Sequence, residues 1–226
     1  MDPFQVFVVI AAFNESSTIR AVVEKILSWY PHVVVVDDGS TDGTHLCVTD
    51  LRVHLLRHII NRGQGASLQT GIRFALDQGA DVIVTFDADG QHDVEDIPSM
   101  VRPVLCGECD VCLGSRFMGT AHNIPLTRKL VLMGGVLFTR LVSGVRVTDI
   151  HNGLRAFSRQ AARSINITMD RMAHASEILE EIQRKRLRFR EVPVTIHYST
   201  HSLHKGQSSW NALRIAAQVL LKKLEK

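Results

Sequence analysis

Four runs of apolar residues, each about as long as one β-strand, dominate the first ninety positions. They are "VFVVIAA" (6–12), "HVVVVDD" (32–38), "VHLLRH" (53–58) and "DVIVTFDAD" (81–89), and a fifth, "DVCLGSRF", follows at 110–117. Most are apolar without interruption, so both faces of each strand must be buried, as in a parallel sheet covered by helices. The intervening segments agree. "SSTIRAVVEKILSWY" (16–30), "GASLQTGIRFALDQG" (65–79) and "VEDIPSMVRPVLCG" (94–107) carry apolar residues at helical spacing, the first with Ser16 or Ser17 as its N-cap. Strand–helix alternation predicts an α/β fold, with a mostly parallel central sheet and helices on both faces.

The second half is less regular. Residues 123–144 are expected to form one or two helices, 154–158 a short strand and 171–186 a helix. "FREVPVTIHYS" (189–199) contains Pro193 and is expected at a sheet edge. A polar loop, "STHSLHKGQSS", leads to a terminal amphipathic helix. With 226 residues and no repeat or linker, positions 1–226 are read as a single domain.

Charge and cysteine usage exclude several classes. A formal net charge of +3 is too slight to argue for nucleic acid. No apolar run reaches the roughly 18 to 20 residues needed to cross a bilayer. The apolar start reads as a strand, not a signal peptide, so the expected location is cytoplasmic, with peripheral attachment to the cytoplasmic membrane face open. Cys106, Cys109 and Cys112 stand at C-x-x-C-x-x-C spacing, but no fourth ligand lies nearby and Cys112 sits in an apolar strand, so packing is the favoured reading. His174, His197, His201 and His204 lie on separate elements and are read as loop or surface residues.

In open α/β sheets ligands bind beyond the carboxyl ends of the strands. The polar clusters fall at those ends: Asn14-Glu15, Asp37-Asp38, Asp87 with Asp89, and Ser115-Arg116. Side chains two apart on a strand point the same way, so Asp87 and Asp89 at the end of the fourth strand can address one ligand. Oxygen ligands suit Mg²⁺ or Mn²⁺ bridging carboxylates to phosphates, and Gln91 offers an amide oxygen. The alternative is that Asp87 and Asp89 only close a turn. "DDGSTDGT" offers carboxylates to base or ribose groups, or forms an Asx-type turn. Neither G-x-G-x-x-G nor G-x-x-x-x-G-K-[ST] follows a strand, which argues against dinucleotide oxidoreductases and P-loop enzymes.

Together these motifs resemble the family 2 glycosyltransferases of GT-A fold, and within them the dolichyl- and polyprenyl-phosphate sugar synthases. The likeness runs from about Val8 to about Trp210 and rests on "AAFNE" (11–15), "VVVVDDGSTDGT", "NRGQG" (61–65), "DADGQH" (87–92), "GSRF" (114–117) and "TDIHNGLRAF" (148–157). It implies a nucleotide-sugar-binding half, 1–117, and an acceptor-binding half, 118–226. The nucleotide sugar would be met by Ala11, Phe13, Glu15, Asp37, Asp38, Arg62, Asp87, Ala88 and Lys205. Asp89 and Gln91 would be metal ligands. Gln64 stands where the family often has lysine, so Arg62 takes the phosphate contact instead. Arg116, Arg128, Lys205 and Ser208 would meet phosphate groups, and Asp149 and Arg155 would lie in the site.

The implied reaction is inverting transfer of a sugar from a UDP- or GDP-sugar, with Mg²⁺ or Mn²⁺ as cofactor. A lipid phosphate at a membrane surface is the favoured acceptor, because Arg128 and the basic C-terminal loop suggest an anion; such a phosphate is already ionised and needs no protein base. A glycan hydroxyl would need one, and Asp149 or Glu177 are the candidates. A separate membrane-anchor subunit and a homo-oligomer are further expected partners, and nucleic acid is not. A non-catalytic nucleotide-binding subunit and a nucleotidyltransferase are the rival readings.

Overall fold

The computed structural model describes residues 4–122, 124, 133–134, 136, 145–169 and 174–198. In chain order the elements are β1 (Val6–Ala12), α1 (Ile19–Leu27), β2 (His32–Asp37), a 3-10 turn (Thr44–Val48), β3 (His54–Arg57), α2 (Gln64–Asp77) and β4 (Val82–Asp87). A second 3-10 turn (Val94–Asp96), α3 (Ile97–Leu105) and β5 (Val111–His122) follow. The remainder is β6 (Arg155–Ser158), α4 (Arg159–Ser164), α5 (His174–Arg184) and β7 (Phe189–His197). The described strands form one seven-stranded sheet, ordered β3-β2-β1-β4-β6-β5-β7. β6 alone runs against its neighbours, pairing antiparallel with both β4 and β5.

The expected two-sided burial is visible along β1. Val8, Ile10 and Ala12 join α1 and α3 in one core layer through Ile19, Val23, Ile26, Ile97 and Met100. Phe7 and Val9 face the other way, onto Leu68, Ile72 and Ala75 of α2 and Ile178 and Ile182 of α5. Burying successive residues on opposite faces is why the strand sequence carries no polar alternation. β3 and β7 form the edges. Pro193, with no N–H to donate, sits opposite Ser115 on the outermost strand, as its chemistry requires.

Several boundaries differ from those read in the sequence, each for a tertiary reason. The first helix begins at Ile19 with Thr18 in the cap position, not at Ser16 or Ser17. The Ser16 N–H instead donates to Asp42 at 3.1 Å, which holds the segment against the loop after β2. β4 stops at Asp87, so Asp89 lies in the following turn and strand alternation is not what aligns the two carboxylates. β5 runs on to His122, with an irregularity between Ser115 and Thr120.

Cys109 and Cys112 are core residues of the α3 face, and the Cys112 sulfur lies 4.0 Å from that of Met100. Burial pushes the Cys112 thiol up to about 12, so it stays protonated. His174 is buried, contrary to the surface reading, whereas His197 is exposed. Most of the segment 123–144, expected to be helical, and the loop and helix expected at the C-terminus, with Arg128, His201, His204, Lys205 and Ser208, lie outside the described residues. No helix among the described residues is long and apolar enough to cross a membrane.

Candidate active site

The sheet register sets the rim. Ala12 pairs with Asp37, and Ala11 pairs with Asp87. The last residues of β2 and β4 therefore flank the end of β1 at one level. Asn14, at φ 54, turns the chain there, and its backbone N–H donates to Ser40 Oγ at 2.9 Å. Its side-chain oxygen accepts from the Thr41 N–H, also at 2.9 Å. The "AAFNE" and "DDGST" loops are thus tied together. Asp42 closes the same unit. Burial alone would raise it, but hydrogen bonds from Thr44 and Ser16 hold it well below the usual carboxylate range. Glu15 is buried beside this unit, with its N–H on Thr44 Oγ1 at 2.8 Å and a carboxylate oxygen accepting from Thr18 Oγ1 at 3.0 Å.

Asp37 and Asp38 are both buried and both engaged by the protein. Asp37 accepts from the Ser40 N–H at 3.2 Å. It also ion-pairs with Arg57 at 3.1 Å, without the alignment of a hydrogen bond. Asp38 accepts from the Arg62 and Gly63 N–H groups at 3.0 and 2.6 Å and from His58 Nδ1 at 2.8 Å. In this geometry the two carboxylates hold the loops that end β2 and β3. Arg62 and Phe13 are exposed on the rim, Ala88 is buried and Ala11 half-buried.

Asp87 is clamped from two sides. Gln64, in the first turn of α2, donates from Nε2 to one oxygen at 3.0 Å, and His92 Nε2 donates to the other at 2.9 Å. Burial opposes ionisation of Asp87. The His92 hydrogen bond, with the positive potential of His92, Arg155 and His174, nevertheless holds its carboxyl below the usual range. A third side is closed by backbone. A Cβ on Gly153 would fall on the Asp87 carboxylate, so only glycine fits there. Gly153→Ala is expected to cost about 1–3 kcal/mol through overpacking, which urea unfolding measures.

Asp89 is different. One oxygen accepts from the Gln91 N–H at 3.0 Å. Burial, then repulsion from Asp87 and Glu15, pushes its carboxyl up to about 6. Among the described residues no salt bridge reaches Asp89, so its negative charge adds to that of Asp87 and Glu15. The Gln91 amide nitrogen is buried with no partner. Because the two ends of an amide are interchangeable in shape, the unpartnered end can equally present oxygen. These groups fit a hard divalent cation. Among the described residues no three His, Cys, Asp or Glu side chains form a self-sufficient metal cage. An ion here would complete its shell from phosphate oxygens and water, which suits Mg²⁺ or Mn²⁺.

On the other side of β4 stands the Arg116–Asp149 pair. Arg116 Nε and backbone N–H donate to Asp149 Oδ2 at 2.6 and 3.1 Å, and Nη1 donates to Tyr198 OH at 2.5 Å. Both members of the ion pair are buried. Burial pulls Arg155 down to about 10, against the opposing fields of Asp87 and Asp149. Burial likewise presses His151 down to about 4, which leaves it neutral at physiological pH. Glu191 of β7 braces the loop, accepting from the Thr148 N–H at 2.8 Å and from its hydroxyl at 2.7 Å.

Glu177 is not a solvated helix residue. It is buried; Oε2 accepts from the Thr168 and Met169 N–H groups at 3.0 and 2.7 Å, and Oε1 accepts from the Thr168 hydroxyl at 2.5 Å.

The Asp89 carboxyl thus feels the charges of Asp87 and Glu15 and accepts from the Gln91 N–H, with Asp37 and Asp38 towards β3 and Arg116, Asp149 and Arg155 beyond β4. His92, Gly153, Glu191 and Tyr198 carry no role in the sequence reading, and Gln64 enters it only as the residue in the family's lysine position. His92 and Gly153 lie within quoted motifs, which was the available signal. Glu191 and Tyr198 come from an edge strand far along the chain and left none.

A mostly parallel sheet with one reversed strand and an acidic centre at its carboxyl rim is the arrangement of the GT-A glycosyltransferases. Glucosyl-3-phosphoglycerate synthase of Mycobacterium tuberculosis, solved with Mn²⁺, UDP and glucosyl-3-phosphoglycerate, shares the fold with a TM-score of 0.73 at 19% identity. The match covers 99% of this chain and 80% of that one. The chain belongs to glycosyl transferase family 2, whose model matches residues 7–165. It is 31% identical to the UDP-N-acetylglucosamine–dolichyl-phosphate N-acetylglucosaminyltransferase of Methanococcus voltae, over 98% of this chain and 97% of that protein. It is also 31% identical to the undecaprenyl-phosphate mannosyltransferase of Micrococcus luteus, over 84% and 83% of the two chains.

Proposed function

We propose that this protein transfers a sugar, with inversion, from a UDP- or GDP-sugar to a polyprenyl or dolichyl phosphate at a membrane surface. The observation that carries the reading is the charge imbalance at Asp89, a carboxyl raised by its acidic neighbours at the rim of a glycosyltransferase sheet. Asp89 and Gln91 would hold Mg²⁺ or Mn²⁺. When bound, that ion supplies positive charge to the departing diphosphate. Asp87, fixed by Gln64 and His92, faces the donor's ribose or diphosphate. Glu15, Ala11, Phe13, Ala88, Arg62 and Lys205 complete the donor site. Asp37 and Asp38 serve it by holding the surrounding loops.

Arg116, Arg128 and Asp149 form the acceptor side, with Arg116 acting through Asp149 and Tyr198. The acceptor's chemistry is supported by what the acids are doing. Asp149 is bound to Arg116, and Glu177 is bound to the 168–169 backbone. A hydroxyl acceptor would need one of them as a base. A phosphate monoester is already ionised near neutral pH and needs none. The names of the relatives from Methanococcus voltae and Micrococcus luteus point the same way. We read the chain as one catalytic domain, peripheral to the cytoplasmic membrane face. A separate anchor subunit and self-association belong to the same proposal.

The test is a panel of UDP- and GDP-sugars with Mn²⁺, read by melting temperature and by transfer to polyprenyl phosphate. A Mn²⁺-dependent rise with one donor and product formation on the lipid are expected, since a ligand of the native state raises the melting point by mass action. No shift with any donor, or product only on hydroxyl acceptors, would overturn the reading.

The raised Asp89 carboxyl gives a pH dependence with a definite sign. Between the ordinary value of 3.8 and about 6 the folded protein holds a proton that the unfolded chain has released. Metal-free stability therefore falls as pH rises through that window. Protons compete with metal at the same group. The melting shift produced by Mn²⁺ is accordingly expected to be large at pH 7.5 and small at pH 5.5.

A further inference from the structure

The segment between β3 and α2 reads "RHIINRG", and it holds two apolar side chains in the open. Ile59 is 99% exposed and Ile60 68%. Single exposed apolar residues are ordinary, but adjacent isoleucines at such exposure on a fixed loop are not. The loop is pinned on both sides. The His58 N–H donates to Asp37 O at 2.9 Å, and the His58 ring bridges Asp38 and Thr70 at 2.8 and 3.0 Å. On the far side Asp38 takes the Arg62 and Gly63 N–H groups. Gly39, at φ +71, lies so close beneath that a Cβ there would strike the Ile60 backbone. The two isoleucines are therefore held outward by the scaffold.

Two arginines flank them. Arg62 is exposed, and Arg57, paired through Nε with Asp37, is half-exposed. The loop follows the carboxyl end of β3, on the same rim as Asp87. Three strand steps of about 4.8 Å separate β3 from β4, so the isoleucines stand roughly 14 Å along the rim from the acidic centre. Beyond the opposite side of that centre, where β5 continues past Arg116, Met118 is 51% exposed. Exposed apolar side chains thus stand on both sides of the acidic centre.

We propose that Ile59 and Ile60 insert into the headgroup region of an anionic bilayer and seat the catalytic rim on it. The proposal rests on the lipid-phosphate reading above and adds the surface that meets the lipid. Apolar tips beside cations are what an anionic interface takes up, one part by burial and the other by salt-dependent attraction.

The experiment uses the full chain and sedimentation with vesicles of phosphatidylcholine alone or with 30% phosphatidylglycerol. Wild type is expected to pellet with the anionic vesicles, less so at high salt. Ile59→Asp with Ile60→Asp is expected to lower that partitioning by about tenfold or more, and Ile59→Leu with Ile60→Leu to retain it. The Mn²⁺-dependent melting shift with donor is expected to be unchanged in both. Four results would overturn the proposal: no vesicle binding by wild type, equal binding by the aspartate variant, a parallel loss of donor binding that assigns the pair to the donor site, or a change of oligomeric state that assigns it to a subunit contact. Vesicle binding through these residues without transfer to polyprenyl phosphate would leave this docking surface standing and remove the acceptor assignment alone.

Discussion

Asp89→Asn should lower sugar transfer by at least about three orders of magnitude, roughly 4 kcal/mol of transition-state stabilisation, while raising the melting temperature of the metal-free protein at pH 7.5. The two halves share one cause. Asparagine keeps an oxygen for the Gln91 N–H but removes the charge that burial, Asp87 and Glu15 all oppose. Because the folded-state carboxyl is raised, its ionised form lowers stability above pH 6, and removing it relieves that cost. The same charge is what a divalent cation would need, so the Mn²⁺-dependent melting shift should vanish with activity. Melting curves with and without Mn²⁺, beside a transfer assay, read both. A variant that melts lower, or one that keeps transferring sugar, would show that Asp89 is a structural carboxylate.

Arg116→Ala carries the second large effect. The Arg116 and Asp149 side chains are 6% and 1% exposed, so deleting the cation leaves a buried carboxylate unpaired. Breaking such a pair from one side costs about 3–5 kcal/mol. Arg116→Ala with Asp149→Ala should lose less than the sum of the single changes, since the double variant has no orphaned charge. Urea unfolding of the four proteins completes the cycle. Were Arg116 instead a free arm reaching for phosphate, its loss would leave stability within about 0.5 kcal/mol and raise only the acceptor KM.

The contrast between these two residues marks how far local pattern carries. Both stand in short motifs, Asp89 as an expected metal ligand and Arg116 as an expected phosphate contact. Asp89 lies among other acids of the same rim. Arg116 is held by Asp149 and Tyr198, which arrive from a loop and the end of an edge strand far along the chain. Glu177 is a sharper case. Its helix was legible from apolar spacing, but its burial under the 167–169 segment was not.

The amino-acid order alone determined the sheet, the two helical layers and the rim on which the chemistry falls. Those follow from periodicity and from the burial of both strand faces, which every few residues of sequence report. Only the tertiary structure decided which rim acids are clamped, as Asp87 is by Gln64, His92 and the bare Cα of Gly153, and which are left in surplus, as Asp89 is. Charge balance and desolvation sum over neighbours distant in sequence, and no local pattern encodes that sum.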